Sequence, residues 1–353
     1  MCEIESQHNE QSGGSGVPTP LATLFFYGFF IALATILAEV FTYNYPEVLL
    51  SFWGYLTYGL LYILFINVLV RRRVADWNTV YLLGVLVGFI TEGYAAKVVF
   101  FGWDADSFTF HGFAVAETLF LSFVFHPLFS FMLPVFLARN FFNFPFAVPQ
   151  TKHPYQALCV LIPFYVLIMG ATTGRDVFSL AAHLVPTLFI MSAWAIALRK
   201  WGCAGSITLG KGTSVSILAI TVAFFTFTFH FMETAYTGVI MLPSQSSVVL
   251  SLVFVGFVSI LVALRIKDSE NTEAAYSPDF PLGKSIAYFA LLTMLLLIAP
   301  LNPAAHLLLS LYGILFIGGI VAGPAWFIYV IVDTVRRLLS QTPPTKVGID
   351  GSV

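Results

Sequence analysis

Long apolar runs constrain this chain more than any other feature of its sequence. Of its 353 residues, 58% are hydrophobic and 10% are charged, whereas an ordinary soluble domain carries about 25% charged residues. Many of the apolar runs reach the length of about 18 residues that a helix needs to cross a bilayer. The sequence therefore predicts an all-α fold, a polytopic transmembrane helix bundle.

The apolar runs predict about ten membrane spans, which form a single transmembrane bundle over residues 19–335. Residues 1–18 are polar and contain no Lys or Arg, so we expect a disordered cytoplasmic tail there rather than a secretory signal peptide. Residues 336–353 are expected to be a C-terminal cytoplasmic tail. The last span is long enough to tilt, or to break at Gly323 and Pro324. The predicted spans are 19–43, 48–70, 78–101, 112–138, 155–172, 177–198, 214–241, 247–266, 284–300 and 305–334.

Basic residues give the predicted bundle an orientation. All Lys and Arg residues except Lys97 and Arg175 fall on one predicted side of the membrane, in alternate connections and at the C-terminal end. The positive-inside rule makes this side cytoplasmic, so both termini are predicted to be cytoplasmic and the protein to lie in the cell (plasma) membrane. The formal net charge of −2 is too small to indicate a nucleic-acid partner. The expected partner is the membrane lipid bilayer.

A polar stripe in the seventh span marks the first candidate site. Thr226, His230, Glu233 and Thr237 recur at the spacing of one helical face. Ionisable side chains inside a bilayer are costly and usually face a partner or a cavity. Two such groups on one turn make His230 and Glu233 candidate catalytic residues.

Two earlier spans carry faces that favour close helix contacts. Gly84, Gly88 and Glu92 lie four residues apart in the third span. Small residues at that spacing let another helix approach closely, so Glu92 is predicted to face the interior of the bundle. In the second span, Tyr58 and Tyr62 belong to a face that carries hydroxyl groups.

The fourth and sixth spans add further ionisable groups. Glu117 lies in the fourth span and His183 in the sixth. His126 precedes Pro127, and we expect it to satisfy a carbonyl that the proline leaves without a donor. His126 also belongs to a series of polar side chains at four-residue spacing, which consists of Thr118, Ser122, His126 and Ser130.

Several ionisable residues are predicted to lie at similar depth in the outer part of the membrane. Glu92 is about 14 residues from the cytoplasmic start of its span, which places it about 20 Å into a core of about 30 Å. The cytoplasmic half is predicted to hold almost no comparable groups, apart from His126. We therefore predict one outward-facing site. Its candidate catalytic residues are Glu233, His230, Glu92, Glu117 and His183.

The residue types of the predicted site suit a metal ion. Imidazole and carboxylate ligands together favour zinc or iron, so His230, His183 and Glu233 are candidate ligands of one divalent ion. The three cysteines have neither disulfide nor metal-ligand spacing. Residues 205–213 resemble a phosphate-binding loop, but Gly212 occupies the place of the hydroxyl residue that would hold magnesium.

Three classes of function fit these observations. The first is a membrane-embedded enzyme that uses the Glu/His site, with or without a metal, on a lipid or other apolar substrate. The second is a proton-coupled secondary transporter in which Glu92 or Glu233 carries the proton. Transporter sites normally lie near the midplane, whereas this site is predicted off-centre. The third is a non-catalytic membrane component whose polar groups hold the bundle together.

Overall fold

A computed structural model describes a bundle of helices with one short β-hairpin. The residues described are 20–37, 52–103, 106–141, 144, 146–149, 208–233, 239–266 and 305–341, with single positions between 185 and 197 and at 290 and 294. The α-helices are α1 (Pro20–Thr35), α2 (Phe52–Arg71), α3 (Trp77–Ile90), α4 (Val98–Phe101), α5 (Val115–Phe120), α6 (Leu133–Phe141), α7 (Lys211–Phe231), α8 (Gln245–Ile266) and α9 (Ala305–Gln341).

Residues 36–37 after α1 are π-helical, and two longer π-helical segments lie further along the chain. Segment π1 (Thr91–Ala95) continues α3, and segment π2 (Leu121–Met132) joins α5 to α6 in one unbroken helical rod. The hairpin pairs β1 (Thr109–Phe110) with β2 (Phe113–Ala114) in antiparallel register.

The helical prediction is confirmed for the described part of the chain. Within it, five helical stretches are long and apolar enough to cross a membrane: 53–71, 115–140, 211–231, 245–266 and 316–340. The predicted span at 155–172, and most of those at 177–198 and 284–300, lie outside the described residues. The count of ten spans, and the two predicted tails, therefore stay predictions. Helix α9 continues without interruption past Pro324, as far as Gln341.

The helix ends gather at two opposite faces of the bundle. At one face, the N–H of Leu209 before α7 donates to Asn67 near the end of α2, at 2.8 Å. Arg265 near the end of α8 contacts Asp76, which directly precedes α3. We call this face, where α2 and α8 end and α3 and α7 begin, the arginine end.

The other face of the bundle is organised by a buried lysine. Lys97 is fully buried, has a left-handed backbone with φ of 61°, and separates π1 from α4. Its ammonium group donates to the carbonyl of Met232 just after α7, at 2.7 Å, and to that of Met241 just before α8, at 3.1 Å. A cation at the end of α7 also complements the negative end of the helix dipole. Lys97 thus ties the end of α3 and π1 to the connection between α7 and α8.

Glycines bring α3 and π2 into backbone contact at the centre of the bundle. A Cβ atom on Gly84 would lie 2.5 Å from the Cα of Pro127, and one on Gly88 would lie 2.7 Å from the Cβ of His126. Transmembrane helices associate largely through packing and interhelical hydrogen bonds, so close approach of this kind is a main source of stability. The prediction that these glycines receive a neighbouring helix is confirmed.

Tyr81, fully buried on α3, completes this contact. Pro127 has no N–H, so the carbonyl one turn before it loses its usual helical donor. Near this proline, the Tyr81 hydroxyl lies 3.0 Å from the carbonyl of Phe123 and 3.0 Å from the carbonyl of Gly323 in α9. The prediction that His126 would satisfy the freed carbonyl is wrong, because its two ring nitrogens lie within hydrogen-bonding distance of the side chains of Glu92 and Ser130.

Candidate functional site: a buried glutamate–histidine pair

Glu92 and His126 form a hydrogen-bonded pair in the interior of the bundle. The Glu92 Oε1 atom and the His126 Nε2 atom are 2.8 Å apart. The His126 side chain is fully buried, and that of Glu92 is 14% exposed. The prediction that Glu92 faces the bundle interior is thus confirmed, and its partner is a histidine that is not among the five predicted catalytic residues.

Helical geometry explains why these two side chains meet. Glu92 lies in π1 and His126 lies in π2, and π-helical turns are rare and frequently occur at functional sites. Gly88 precedes Glu92 by one turn of α3 and faces both His126 and the carbonyl of Leu121. A larger residue at position 88 would push π2 away, so the glycine sets the separation at which the carboxylate reaches the imidazole.

The second ring nitrogen of His126 also has a side-chain partner. The Nδ1 atom lies 3.0 Å from the hydroxyl oxygen of Ser130. The Ser130 carbonyl accepts a hydrogen bond of 2.7 Å from the hydroxyl of Tyr62 on α2. The ring of Tyr58, one turn earlier on α2, lies with its centroid 5.9 Å from that of His126. The hydroxyl face predicted for the second span therefore packs against the histidine.

This arrangement can exchange a proton. A carboxylate and an imidazole at hydrogen-bonding distance form a unit in which either partner can carry the shared proton. Ser130 fixes the ring on the side opposite Glu92, which is the support that a general base needs from a third group. Because Glu92 is the less buried partner, it is the one that a substrate or an entering proton would meet.

Glu117 lies in a different environment. Its Oε1 atom accepts hydrogen bonds from the Ser107 hydroxyl at 2.6 Å and from the Trp103 N–H at 3.3 Å. Its Oε2 atom is buried and has no hydrogen-bond partner among the described residues. Glu117 lies in the first turn of α5, where the helix dipole favours a negative charge. It shares no bonding partner with Glu92, so the two carboxyl groups form separate sites in the described structure.

His230 and Glu233 lie on the outside of the described structure. The Nδ1 atom of His230 is 2.9 Å from the carbonyl of Thr226 on its own helix, and both His230 and Glu233 are exposed. Helix α7 ends at Phe231, with Met232 in an extended conformation. The prediction that Glu233 continues the helical stripe is therefore wrong. Thr237, the last member of that stripe, lies outside the described residues.

The predicted metal site depends on a residue that the structure does not describe. His183 lies outside the described residues. Within those residues, no group of three or more His, Cys, Asp and Glu side chains is close enough to hold a metal ion. The assignment of His230, His183 and Glu233 to one zinc or iron ion therefore stays a prediction, as do the catalytic roles of the five candidate residues.

Comparison with known sequences places the chain in a family. The sequence model of the family described as "Uncharacterized membrane protein family" matches residues 29–340, a range that contains both members of the pair. The chain belongs to this family.

A relative shares part of this sequence. An "Uncharacterized protein" of Archaeoglobus fulgidus is 32% identical over 148 residues, which is 41% of this chain and 47% of the relative. The match thus spans about half of the relative's length. No solved structure matches the chain. As a member of this membrane protein family, the protein is associated with a lipid bilayer.

This family member also has a buried charged cluster at the arginine end, which sequence reasoning missed. The Arg265 guanidinium is 1% exposed and lies 2.6 Å from Asp76 and 2.8 Å from Asp333 of α9. It also donates to the hydroxyl of Thr334 at 2.9 Å. Asp333 in an otherwise apolar helix was the signal that could have found it, since an intramembrane carboxylate usually has a partner. The cluster lies where α8 ends and α3 begins, and the prediction that the cytoplasmic half of the membrane holds almost no comparable groups stays a prediction.

Proposed function

We propose that this protein is a membrane-embedded enzyme that acts on a lipid or other apolar substrate by general acid–base chemistry at Glu92 and His126. The observation that carries the proposal is the 2.8 Å contact between a nearly buried carboxyl group and a fully buried imidazole. In this role Glu92 gives a proton to the substrate or takes one from it, and His126 shares that proton. Positioned groups of this kind contribute about 10²–10⁴-fold to rates.

The rigidity of the site supports an enzyme over a transporter. Gly84 and Gly88 hold α3 against π2 at backbone distance, directly beside the pair. Catalysis gains from groups that are fixed before the substrate arrives. A coupling carboxylate must instead become accessible from the two sides of the membrane in turn, which would require this glycine contact to open.

The surroundings of the pair support an apolar substrate. His126 packs edge-to-face against Phe125, at a centroid distance of 5.0 Å, and tilted against Tyr58. Both Phe125 and Tyr58 are buried. A hydrocarbon chain that enters from the bilayer would meet surfaces of the same kind, and its reacting group would need to reach Glu92.

The proposal is tested by a search for chemical conversion of lipids. Purified protein is incubated in vesicles made from the lipids of its producing cells, and the lipids are compared by mass spectrometry before and after incubation. We expect wild-type protein to change the mass of one lipid class or apolar compound, and Glu92→Gln to slow this by about 10²–10⁴-fold. The matched control is Arg72→Gln, which alters an exposed side chain at the arginine end and should retain the rate. No conversion by wild-type protein, or equal rates for Glu92→Gln, would contradict the proposal.

One observation favours a proton-coupled secondary transporter as the second candidate. Pro127 lies inside π2 next to His126 and removes one helical donor there, and transporter sites are typically built where Gly or Pro weakens a helix. In that case, Glu92 would carry the coupled proton. Substrate-dependent proton uptake into proteoliposomes that is abolished by Glu92→Gln, without chemical change of the substrate, would favour this function.

A metal-dependent version of the enzyme is a separate proposal that rests on residue chemistry. His230, His183 and Glu233 offer the imidazole and carboxylate ligands that suit zinc or iron. Elemental analysis of purified protein should then find about one metal ion per chain, lost in His183→Ala and His230→Ala but retained in His126→Gln. Metal content that is equal in all of these variants would exclude this ligand set.

The orientation of the bundle in the membrane is also proposed. By the positive-inside rule, the arginine end and both termini would lie on the cytoplasmic side of the plasma membrane. Single cysteines introduced at the exposed positions Arg72, at the arginine end, and Phe110, at the hairpin tip, test this in intact cells. With the native cysteines replaced, we expect a membrane-impermeant thiol reagent to label Phe110→Cys and not Arg72→Cys. The reverse pattern would overturn the orientation.

A further inference from the structure

Ser130 is the second side chain that holds His126. Its hydroxyl oxygen lies 3.0 Å from Nδ1, while Glu92 lies on Nε2. Both His126 and Ser130 are fully buried, so no bulk water replaces a lost partner. A serine hydroxyl can donate one hydrogen bond and can also accept. It is therefore able to bond Nδ1 whether or not that nitrogen carries a proton.

We infer that Ser130 is a positioning residue that lets the Glu92–His126 pair take up a proton, because it supplies the acceptor for the Nδ1–H of the protonated ring. The inference rests on the proposed proton exchange at this pair. It names the residue that sets the pH at which the exchange occurs.

The proton count distinguishes two states of the site. In the deprotonated state, Nε2–H donates to the Glu92 carboxylate and Nδ1 accepts from the Ser130 hydroxyl. When the pair gains one proton, Nδ1 also carries hydrogen and donates to the Ser130 oxygen, and the serine hydrogen rotates to another acceptor. No other group gains or loses a proton in this step.

Removal of the hydroxyl affects the two states unequally. In the deprotonated state, Ser130→Ala leaves only a lone pair of a neutral ring without a donor. In the protonated state, it leaves a buried N–H of a charged or charge-sharing ring without an acceptor, and hydrogen bonds to charged groups are the stronger ones. The protonated state therefore loses more, and the pair should take up its proton at lower pH.

The other groups that face His126 leave this role to Ser130. Segment π1 contributes Glu92, and α2 contributes Tyr58, whose ring lies within the range of a cation–π contact. Helix α3 presents Gly88, which has no side chain. In the described part of the chain, Ser130 is the hydrogen-bond partner of Nδ1. Tyr62 holds the Ser130 carbonyl and thereby fixes the position of the serine on π2.

Ser122 provides a matched control on the same π-helical segment. It is fully buried like Ser130, and its hydroxyl has no hydrogen-bond partner in the described structure. Ser122→Ala therefore removes the same atom from a similar environment without removing a bond to the histidine. A general packing effect of a buried Ser→Ala change would appear in both variants.

The test is a titration of His126 by ¹⁵N nuclear magnetic resonance on the full-length protein in lipid bilayers, without substrate. The His126 signals are identified by their loss in His126→Gln. We expect Ser130→Ala to lower the midpoint of proton uptake by about one pH unit or more, Ser122→Ala to leave it unchanged, and Ser130→Thr, which keeps the hydroxyl, to restore most of it. Thermal unfolding of each variant confirms that the comparison is made on folded protein.

Two results would overturn the inference. One is an equal midpoint in Ser130→Ala and wild-type protein, and the other is an equal shift in Ser130→Ala and Ser122→Ala. The titration needs no enzymatic turnover, so this outcome is distinguishable from failure of the proposed function. If lipids are not converted but the midpoint shifts as expected, the enzyme proposal fails and the role of Ser130 stands.

Discussion

Helix α3 is flanked by a carboxyl group at each end, and the two have different partners. Asp76 precedes the first turn, where it accepts hydrogen bonds from the backbone and hydroxyl of Thr79 and pairs with Arg265. Glu92 follows the last α-helical turn and pairs with His126. The side chains of the two cationic or basic partners are almost equally buried, at 1% exposure for Arg265 and 0% for His126.

Burial therefore does not distinguish the Asp76 end of α3 from the Glu92 end. The chemistry of the partner side chain does. A guanidinium group stays protonated at all accessible pH values, so the Asp76–Arg265 pair can hold helices together but cannot pass on a proton. An imidazole, in contrast, can gain or lose a proton. We therefore propose that the Asp76 end contributes stability and that the Glu92 end exchanges a proton, and substitutions can test each proposal.

The largest expected effect is loss of stability when Arg265 is replaced. Arg265→Met leaves Asp76 and Asp333 without their shared cation, and removing one partner of a buried ion pair costs about 3–5 kcal/mol. We expect a large fall in the unfolding temperature in detergent. Arg72→Met, which alters an exposed arginine at the same end of the bundle, should change it little. Equal unfolding temperatures for the two variants would mean that the cluster does not stabilise the fold.

A smaller loss of stability is expected when a side chain is added at the glycine contact beside Glu92. Gly88→Ala places a methyl group 2.7 Å from the Cβ of His126 and 3.0 Å from the carbonyl of Leu121, and overpacking of this kind costs about 1–3 kcal/mol. Gly256→Ala in α8 is the matched control, since a Cβ there meets nothing within 4 Å. An alanine in a helix is favoured over glycine, so the control should be neutral or slightly stabilised in thermal unfolding. Two variants of equal stability would contradict the contact between α3 and π2.

Acid should weaken the Asp76 end by a smaller amount still, because a protonated Asp76 keeps oxygen atoms that can accept hydrogen bonds from Thr79 and Arg265. Burial alone raises the pKa of Asp76, but hydrogen bonds from Thr79 and Arg265 and the charges of Arg265 and Arg337 outweigh it and hold the pKa below its usual value. Such a group stabilises the fold fully above its unfolded pKa, which is about 3.9.

That stabilisation is lost as the pH falls through the lower folded pKa of Asp76. We expect the unfolding temperature of wild-type protein to fall over this acid range. Asp76→Asn already lacks the charge, so its unfolding temperature should start lower at neutral pH and fall less on acidification. If the unfolding temperatures of the two proteins fell in parallel with pH, the Asp76 carboxylate would not contribute to stability.

The smallest change in unfolding temperature is expected for a substitution on α7. His230 is exposed and bonds only a carbonyl of its own helix in the described structure. His230→Ala should therefore leave thermal unfolding unchanged within error, whereas His126→Ala removes the partner of a buried carboxyl group and should lower the unfolding temperature. A loss in His230→Ala as large as that in His126→Ala would indicate that α7 forms a contact with residues beyond those described.

Sequence reasoning found the inward face of α3 because small residues in an apolar helix have a direct steric meaning. Gly84 and Gly88 could only leave room for another backbone, and their spacing alone was enough to predict that Glu92 lies at an interface between helices. The helical character of the five described stretches of bilayer length was also predictable, since apolar runs of that length have few alternatives to a helix.

The partner of Glu92 could not be predicted in the same way. His126 was expected to bond the carbonyl freed by Pro127, because that acceptor is local and the glutamate is distant in sequence. In the fold, the side chains of Glu92 and Ser130 take up the two ring nitrogens of His126. The π-helical geometry of π2 also changes which side chains share a face, and a four-residue spacing does not reveal it.

The prediction of a polar stripe on α7 failed in part because it also depended on local sequence alone. Helical periodicity was extended through Glu233, but the helix ends at Phe231, where the Met232 carbonyl accepts a hydrogen bond from Lys97. Lys97 lies far from α7 in the sequence, so a local pattern contains no sign of it. The same holds for Arg265, which looks like an ordinary basic residue at a membrane boundary until Asp333 is brought beside it.

The central claim is that Glu92 and His126 share one exchangeable proton inside the bundle. The most direct measurement is an infrared titration of the purified protein in lipid bilayers, which follows the carbonyl stretch of protonated carboxyl groups as the pH is lowered. We expect one carbonyl band that is absent in Glu92→Gln. The midpoint pH at which this band appears should change in His126→Gln and stay unchanged in His230→Gln. A band that persists in Glu92→Gln, or a midpoint that His126→Gln leaves unmoved, would contradict it.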